Sequence, residues 1–229
     1  MALIISIDTA LEDASVCISE NAVVLAVKNN SMQIDHAAWI QVAIRELLAE
    51  TKRSMAHLSA IAVNAGPGSY TGLRVGMATA KGMCYALGIP LITENTLWLI
   101  AQRVKKEFAL NSVYSFPVLI CPMIDARRME VFTTIYDLDL NEKTAQAAIV
   151  LDPGSFTEQL QDHVIMFCGN GSKKWQNLCI HTNAIFVDVT RNVADLAESA
   201  HKKFEIGVFS DLAYTEPAYL KNVYTGKSK

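Results

Sequence analysis

Gly66-Pro67-Gly68-Ser69-Tyr70-Thr71-Gly72-Leu73-Arg74-Val75-Gly76 places four of the chain's 11 glycines inside one short run, just after the apolar stretch Ile61-Ala62-Val63. This pattern predicts a strand, a tight turn and a helix start. Glycine serves positive φ and close backbone approach, and Thr71 is positioned as a first-turn or capping residue. A helix N-terminus facing a crevice is the expected result. Backbone N–H groups and the helix dipole would suit an anion there. The established phosphate cradles do not fit, however. Gly72 is followed by Leu73-Arg74 where a Walker A loop needs Lys-Ser or Lys-Thr, and Thr71 stands where a dinucleotide fingerprint needs its third glycine. The glycines are better read as permitting close packing.

On the N-terminal side of this run, Leu3 to Ile7, Ser15 to Ser19 and Val23 to Val27 read as a three-strand meander. Asp35 can cap a helix from His36 to Glu50. Ile61 to Asn64 is then a strand, Thr71 to Leu87 a helix, Leu91 to Thr93 a strand and Thr96 to Phe108 a helix. The second half restarts the pattern. Val118 to Ile124 and Val131 to Tyr136 are β-like around Asp125-Ala126-Arg127-Arg128, and Ile124-Asp125-Ala126 echoes Ile7-Asp8-Thr9. Val164 to Phe167 and Ala184 to Val187 follow as strands around the turn Gly169-Asn170-Gly171, and Val193 to Phe204 has helical spacing. Shared element order points to a duplicated α/β fold with lobes at 1–108 and 109–229, the last segment packing back on the first lobe.

At 229 residues and 51% hydrophobic content the chain can bury a substantial core. A net charge of −3 excludes a global basic field for nucleic acid, so RNA contact would draw on a partner's positive surface. The five cysteines are odd in number, widely spaced and free of Cys-x-x-Cys pairs, which fits reduced thiols in the cytoplasm rather than a disulfide framework or a zinc site. The N-terminus has no basic n-region and meets Asp8 early, against a signal peptide. Leu73 to Ile92 carries Arg74, Lys81 and Pro90 and is read as a buried helix plus strand, not a membrane span.

Two helices have more apolar surface than one sheet face needs. On His36 to Glu50, Ala37, Ile40, Ala43, Ile44, Leu47 and Leu48 form the inward face. A second stripe of Ala38, Val42 and Ala49, with Trp39 beside it, calls for a cover. On Thr71 to Leu87 the only charges are Arg74 and Lys81, and small residues recur four apart: Gly72, Gly76, Ala80, Cys84, and also Ala78, Gly82, Ala86. Glycine costs about 1 kcal/mol relative to alanine inside a helix, so Gly76 and Gly82 need a packing reason. Burial within the domain and a partner interface explain these stripes about equally well, and protein association through these helices is the expectation.

Catalytic constellations are sparse. His36 heads a helix, but Ile40 stands where a second metal ligand would be, and the other histidines lack ligand-like neighbours. Ser69 is not in a Gly-x-Ser-x-Gly elbow. Asp8 and Asp125 end strands where two-lobed phosphotransferases keep carboxylates, although a strand-ending Asp also organises turns.

Four stretches together resemble the TsaB family: Ile7-Asp8-Thr9, the run from Gly66 to Gly76, Ile124-Asp125-Ala126-Arg127-Arg128-Met129-Glu130-Val131, and Glu216-Pro217-Ala218-Tyr219-Leu220. The resemblance implies a two-lobed actin-like, heat-shock-chaperone ATPase-like (ribonuclease H-like) fold. It also implies a non-catalytic subunit for threonylcarbamoyladenosine synthesis in tRNA. In that system the paralogous TsaD transfers threonylcarbamoyl to the adenosine beside the anticodon, and the ATPase TsaE joins the assembly. TsaD carries a His-x-x-x-His metal motif, of which only His36 has a counterpart here. The resemblance places pairing with TsaD, or self-pairing in its absence, on the helices beginning at His36 and Thr71. The expected contact set is therefore Ala38, Trp39, Val42, Gly72, Arg74, Gly76, Met77, Ala80 and Lys81. No cofactor, metal or membrane is expected, and tRNA is met through the assembled complex. A bulky residue at Gly76 or Ala80 is expected to weaken pairing and spare the monomer. The rival is an actin-fold ATPase or phosphotransferase using Asp8, Asp125, Gly169 and Gly171; peptide hydrolysis lacks an assembled nucleophile, base and acid. The tail lysines Lys221, Lys227 and Lys229 are read as a solvated end.

Overall fold

The computed structural model describes residues 2–31, 36–108, 116–189 and 191–221. Asp35, Lys227 and Lys229, and the side chain of His36, lie outside these residues. The first lobe contains β1 (Leu3–Asp8), β2 (Ala14–Glu20), β3 (Val23–Asn30), α1 (His36–Glu50), β4 (Ala60–Asn64), α2 (Tyr70–Leu87), β5 (Leu91–Glu94) and α3 (Thr96–Glu107). The second contains β6 (Val118–Asp125), β7 (Glu130–Thr133), β8 (Ala147–Val150), α4 (Thr157–Asp162), β9 (Val164–Cys168), α5 (Ser172–Gln176), β10 (Ala184–Phe186) and α6 (Val193–Glu205).

The strand orders are β3-β2-β1-β4-β5 and β10-β9-β6-β7-β8. Read from the meander edge, these are one topology used twice. Antiparallel pairs join the first three strands of each lobe, and parallel pairs join the first strand to the fourth and the fourth to the fifth. The central strand β1 is buried along its length, as a strand covered on both faces must be. Its side chains alternate between two cores. Leu3, Ile5 and Ile7 meet Ile40, Ile44 and Leu47 of α1 and Met77 and Ala80 of α2. Ile4, with Ala60, Ala62 and Ile92, meets Leu196 and Ala200 of α6.

The third helix of each half lies on the other half. Leu97, Ile100, Ala101 and Val104 of α3 pack with Ile120, Ile124, Met166 and Cys168 of the second sheet, while α6 covers the first. A division at residue 108 therefore separates α3 from the core that it covers. The two exchanged helices also meet, with Lys106 Nζ 2.9 Å and Arg103 Nη1 3.7 Å from the buried carboxylate of Asp195. The far face of the second sheet is closed by Leu160 of α4 and by Trp175 of α5, which sits among Phe156, Phe167 and Phe186.

Some local expectations need correction. The cap of α2 is Ser69, whose Oγ accepts from Gly72 N at 3.3 Å, and the helix starts at Tyr70 rather than Thr71. The segment read as Val131 to Tyr136 is a strand only to Thr133; Tyr136 returns to exchange two backbone bonds with Ile120. Ala37 of α1 is exposed, not inward. The strand β8 and the short helices α4 and α5 had no expectation.

Candidate functional site

The Gly66–Gly76 run forms the seat of α2 on the β1–β2 loop. A Cβ at Gly68 would lie 2.0 Å from the Ala10 carbonyl oxygen, one at Gly72 2.1 Å from that of Thr9, and one at Gly76 2.3 Å from Thr9 Oγ1. Only glycine admits so close an approach. Thr9 Oγ1 donates to Gly72 O at 2.7 Å, and Ser69 N donates to Ala10 O at 2.7 Å. The place a phosphate would take above these glycines is filled by the chain's own carbonyl groups, in line with the packing reading.

This geometry corrects the expected contact set. Gly72, Gly76, Met77 and Ala80 are buried inside the protomer, against their own sheet and the β1–β2 loop. A bulky residue at Gly76 or Ala80 would therefore disrupt the monomer itself. Lys81 is occupied within the chain, its Nζ donating to the carbonyls of Ala213 at 3.2 Å and Thr215 at 3.0 Å. Trp39 is half-buried against the first core. On the surface of α1 stand Ala38, Val42 and Ala49; on α2 stand Thr71, Arg74, Ala78, Gly82, Tyr85 and Ala86. The second small-residue row of α2 is thus the outward one. A Cβ at Gly82 would meet nothing within 4 Å, and Tyr85 beside it is 84% exposed. Since α1 and α2 touch, their outer sides form one continuous face, about 27 Å long at the helix rise of α2. The Arg74 guanidinium lies over the Tyr70 ring, 4.5 Å from its centroid.

Asp8 and Asp125 end the equivalent central strands β1 and β6 and face the cleft between the lobes. Asp8 is 2% exposed. Its carboxylate accepts from Asn64 Nδ2 and Ala10 N, each at 3.1 Å, and is ion-paired with Arg191 from the segment before α6. Asp125 accepts from Lys174 Nζ and Arg127 N, both at 2.6 Å. Partial burial opposes its ionisation, but the Lys174 ammonium and the Arg127 amide outweigh that cost and hold the carboxyl below its usual range. Gly169 presses on β6, where a Cβ would lie 2.4 Å from Met123 O, and Gly171 on β7, where a Cβ would lie 2.8 Å from Val131 Cγ1. Asn170 Oδ1 between them accepts from Asp125 N at 2.9 Å.

Two cavities open from this cleft. One, of about 490 Å3, is lined by Asp8, Arg191, Gly169 and Asn170; the other, of about 870 Å3, lies between the start of α2, Asp125-Ala126-Arg127 and the tail residues Ala218 to Lys221. Each strand-end aspartate thus meets a basic side chain remote in sequence. Arg191 and Lys174 escaped the sequence reading because nothing local marks them as partners. Ser69, considered as a nucleophile, is spent as a helix cap.

Two lobes of one five-stranded mixed topology, with helices exchanged between them and paired strand-end aspartates at the cleft, define a duplicated ribonuclease H-like protein of the actin class. The family model for TsaD, tRNA N6-adenosine threonylcarbamoyltransferase, matches residues 27–222. The chain is 27% identical over 226 residues to the tRNA threonylcarbamoyladenosine biosynthesis protein TsaB of Escherichia coli strain K12, covering 96% of this chain and 94% of that one. To the TsaB protein of Bacillus subtilis strain 168 it is 31% identical over 133 residues, 58% of this chain and 54% of that one. Among solved structures, YeaZ from Pseudomonas aeruginosa superposes with a TM-score of 0.75 at 22% identity, covering 96% of this chain and all of that one. A second Pseudomonas aeruginosa structure, described as similar to the peptidase YeaZ, gives 0.76 at 21% with the same coverage. At these identities the two structures speak to fold alone. The chain belongs to the TsaB family. Among the described residues, no helix is long and apolar enough to cross a membrane.

Proposed function

We propose that this chain is a non-catalytic subunit in the synthesis of threonylcarbamoyladenosine in tRNA, working in the cytoplasm by pairing with a TsaD-type catalytic paralogue. The observation that carries the reading is Gly82. It sits inside an 18-residue helix with no intramolecular neighbour for a side chain, between the exposed Ala78 and Ala86. Glycine there costs about 1 kcal/mol relative to alanine and has no compensating contact in the protomer. A second helix laid across Ala78, Gly82 and Ala86 supplies one, with Val42 and Ala49 of α1 and the ring of Tyr85 beside it. In this reading the paralogue takes that face, a second copy takes it when the paralogue is absent, and a TsaE-type ATPase joins the pair.

A support role also fits the cleft, where Asp8 and Asp125 spend their charges on Arg191 and Lys174. The alternative of an independent actin-fold ATPase or phosphotransferase requires those carboxylates to be released. Size-exclusion mixing with the paralogue tests the proposal. The parent chain is expected to give a one-to-one complex that restores tRNA modification, and Gly82→Arg is expected to abolish it while the monomer melts normally. Persistence of the complex in Gly82→Arg removes the proposed face. Tight Mg-ATP binding with turnover by the isolated chain would favour the alternative.

A further inference from the structure

The turn between β6 and β7 carries two arginines that its local structure does not use. Arg127 and Arg128 both have positive φ, 70° and 49°, a region that L-residues other than Asn and Asp rarely visit. The turn is closed by Glu130 N donating to Arg127 O at 3.1 Å, a bond indifferent to the side chains at 127 and 128. Asn and Gly would suit this backbone better.

The acids of the turn are already matched. Asp125 is paired with Lys174, and Glu130 with Lys221. Among the described residues neither Arg127 nor Arg128 has a carboxylate within ion-pair distance, and both are exposed. With Lys174 and Lys221 counted, the turn therefore carries two positive charges in excess of its acids, Arg127 sharing the field of Asp125 with Lys174, on a chain whose net charge is −3. Arg127 lines the 870 Å3 cavity, and across that cavity stand Tyr70 and Tyr219. Their rings are 5.0 Å apart at 41°, and they remain 38% and 40% exposed. Ala218 N donates to Ala65 O at 2.7 Å, fixing the backbone beside Tyr219.

Guanidinium groups recognise phosphate through a planar fork, and exposed rings stack unpaired bases. We propose that this cavity binds an unpaired stretch of RNA, with a base on the Tyr70–Tyr219 pair and neighbouring phosphates on Arg127 and Arg128. The choice of RNA rests on the function proposed above; the cation and ring geometry does not. Glu12, also in the lining, stands against a free, highly charged anion filling the whole cavity and leaves the phosphates to the Arg side. The acidic-peptide alternative offers carboxylates to the arginines but gives the tyrosine pair no occupant.

The test uses the full chain and a short fluorescein-labelled single-stranded RNA, read by anisotropy across a salt series. Two phosphate contacts predict a slope of about −1.4 in log K against log salt, so binding weakens about sevenfold between roughly 50 and 200 mM. The double variant Arg127→Asn/Arg128→Gly is expected to lose that slope while melting at or above the parent temperature, because both replacements accept positive φ. Tyr219→Ala is expected to weaken binding about tenfold and Tyr219→Phe to retain it, as stacking needs the ring and not the hydroxyl. An unchanged slope in the double variant overturns the proposal. So does displacement of the RNA by oligo-glutamate or by AMP at equal phosphate or carboxylate concentration. Pairing with the paralogue is read separately by size exclusion, so a chain that pairs but does not bind RNA, or the reverse, shows which proposal has failed.

Discussion

Alanine placed at Gly72 and at Gly82 should move stability in opposite directions, although both residues lie in α2 and the chemical change is identical. At Gly82 the new methyl meets open space, so the variant gains the helix preference of alanine over glycine, about 1 kcal/mol. For a chain of this size that raises the melting temperature by about 2 to 4 °C. At Gly72 the same gain is opposed by a Cβ placed 2.1 Å from the Thr9 carbonyl oxygen, backbone that is tied down by Thr9 Oγ1 donating to Gly72 O. Relieving the overlap means lifting the helix start off the β1–β2 loop by about 1 Å. Overpacking of this kind costs about 1–3 kcal/mol, and the stretched hydrogen bond adds about 1. The net loss is about 1–3 kcal/mol, which separates the two variants by roughly 3 kcal/mol, or about 6 to 12 °C. Urea titration with constant m-value and calorimetry, both on dilute protein to suppress self-association, would measure it. If Gly72→Ala melts at or above the parent, or if both variants shift alike, the assignment of the Gly72 side as inner and the Gly82 side as outer is wrong.

Other measurements probe separate parts of the molecule. Burial pushes the His201 imidazole below its usual range beneath Ser19, so the unfolded chain takes up a proton more readily than the folded one. Its stability contribution is present above about pH 6.5 and declines as pH falls; the urea midpoint should drop between about pH 7.5 and 5.5, and less so in His201→Gln. Burial also raises Cys17 and Cys121 to about 12 and Cys84 to about 11, and Cys168 is buried too, so a native thiol titration should label Cys179 first. Equal labelling of several thiols in folded protein would contradict this packing. Arg191→Met should cost about 3 kcal/mol by stranding the buried Asp8 carboxylate, and the added change Asp8→Asn should restore much of it. A double variant no more stable than the single one would mean that Arg191 acts through packing alone.

Periodicity made the larger elements legible before the structure. The three-strand opening, the helices α1, α2, α3 and α6, and the apolar central strands all follow from spacing of two or 3.6 residues. The helices α4 and α5 span six and five residues, too short to display a period, and β8 is a four-residue edge strand with little burial. The outer side of α2 was harder for a different reason. Missing Cβ atoms announce close approach without naming what approaches, so the rows at Gly72-Gly76-Ala80 and Ala78-Gly82-Ala86 look alike as sequence. The Thr9 carbonyl against Gly72, the Thr9 hydroxyl against Gly76 and the core around Ala80 distinguish the first row. The Asp8–Arg191 and Asp125–Lys174 pairs join residues from distant segments, and the positive φ values at Arg127 and Arg128 contradict ordinary residue preference.

The exchange of α3 and α6 between lobes bears on how the chain is made. During synthesis from the N-terminus, the first sheet is complete well before α6 leaves the ribosome, and until then the patch of Ile4, Ala60, Ala62 and Ile92 has no cover. The nascent first half must wait with a sticky surface, a situation in which chains recruit chaperones or aggregate. Neither half is a self-sufficient fragment, because each keeps the lid that the other needs; only the finished polypeptide closes both.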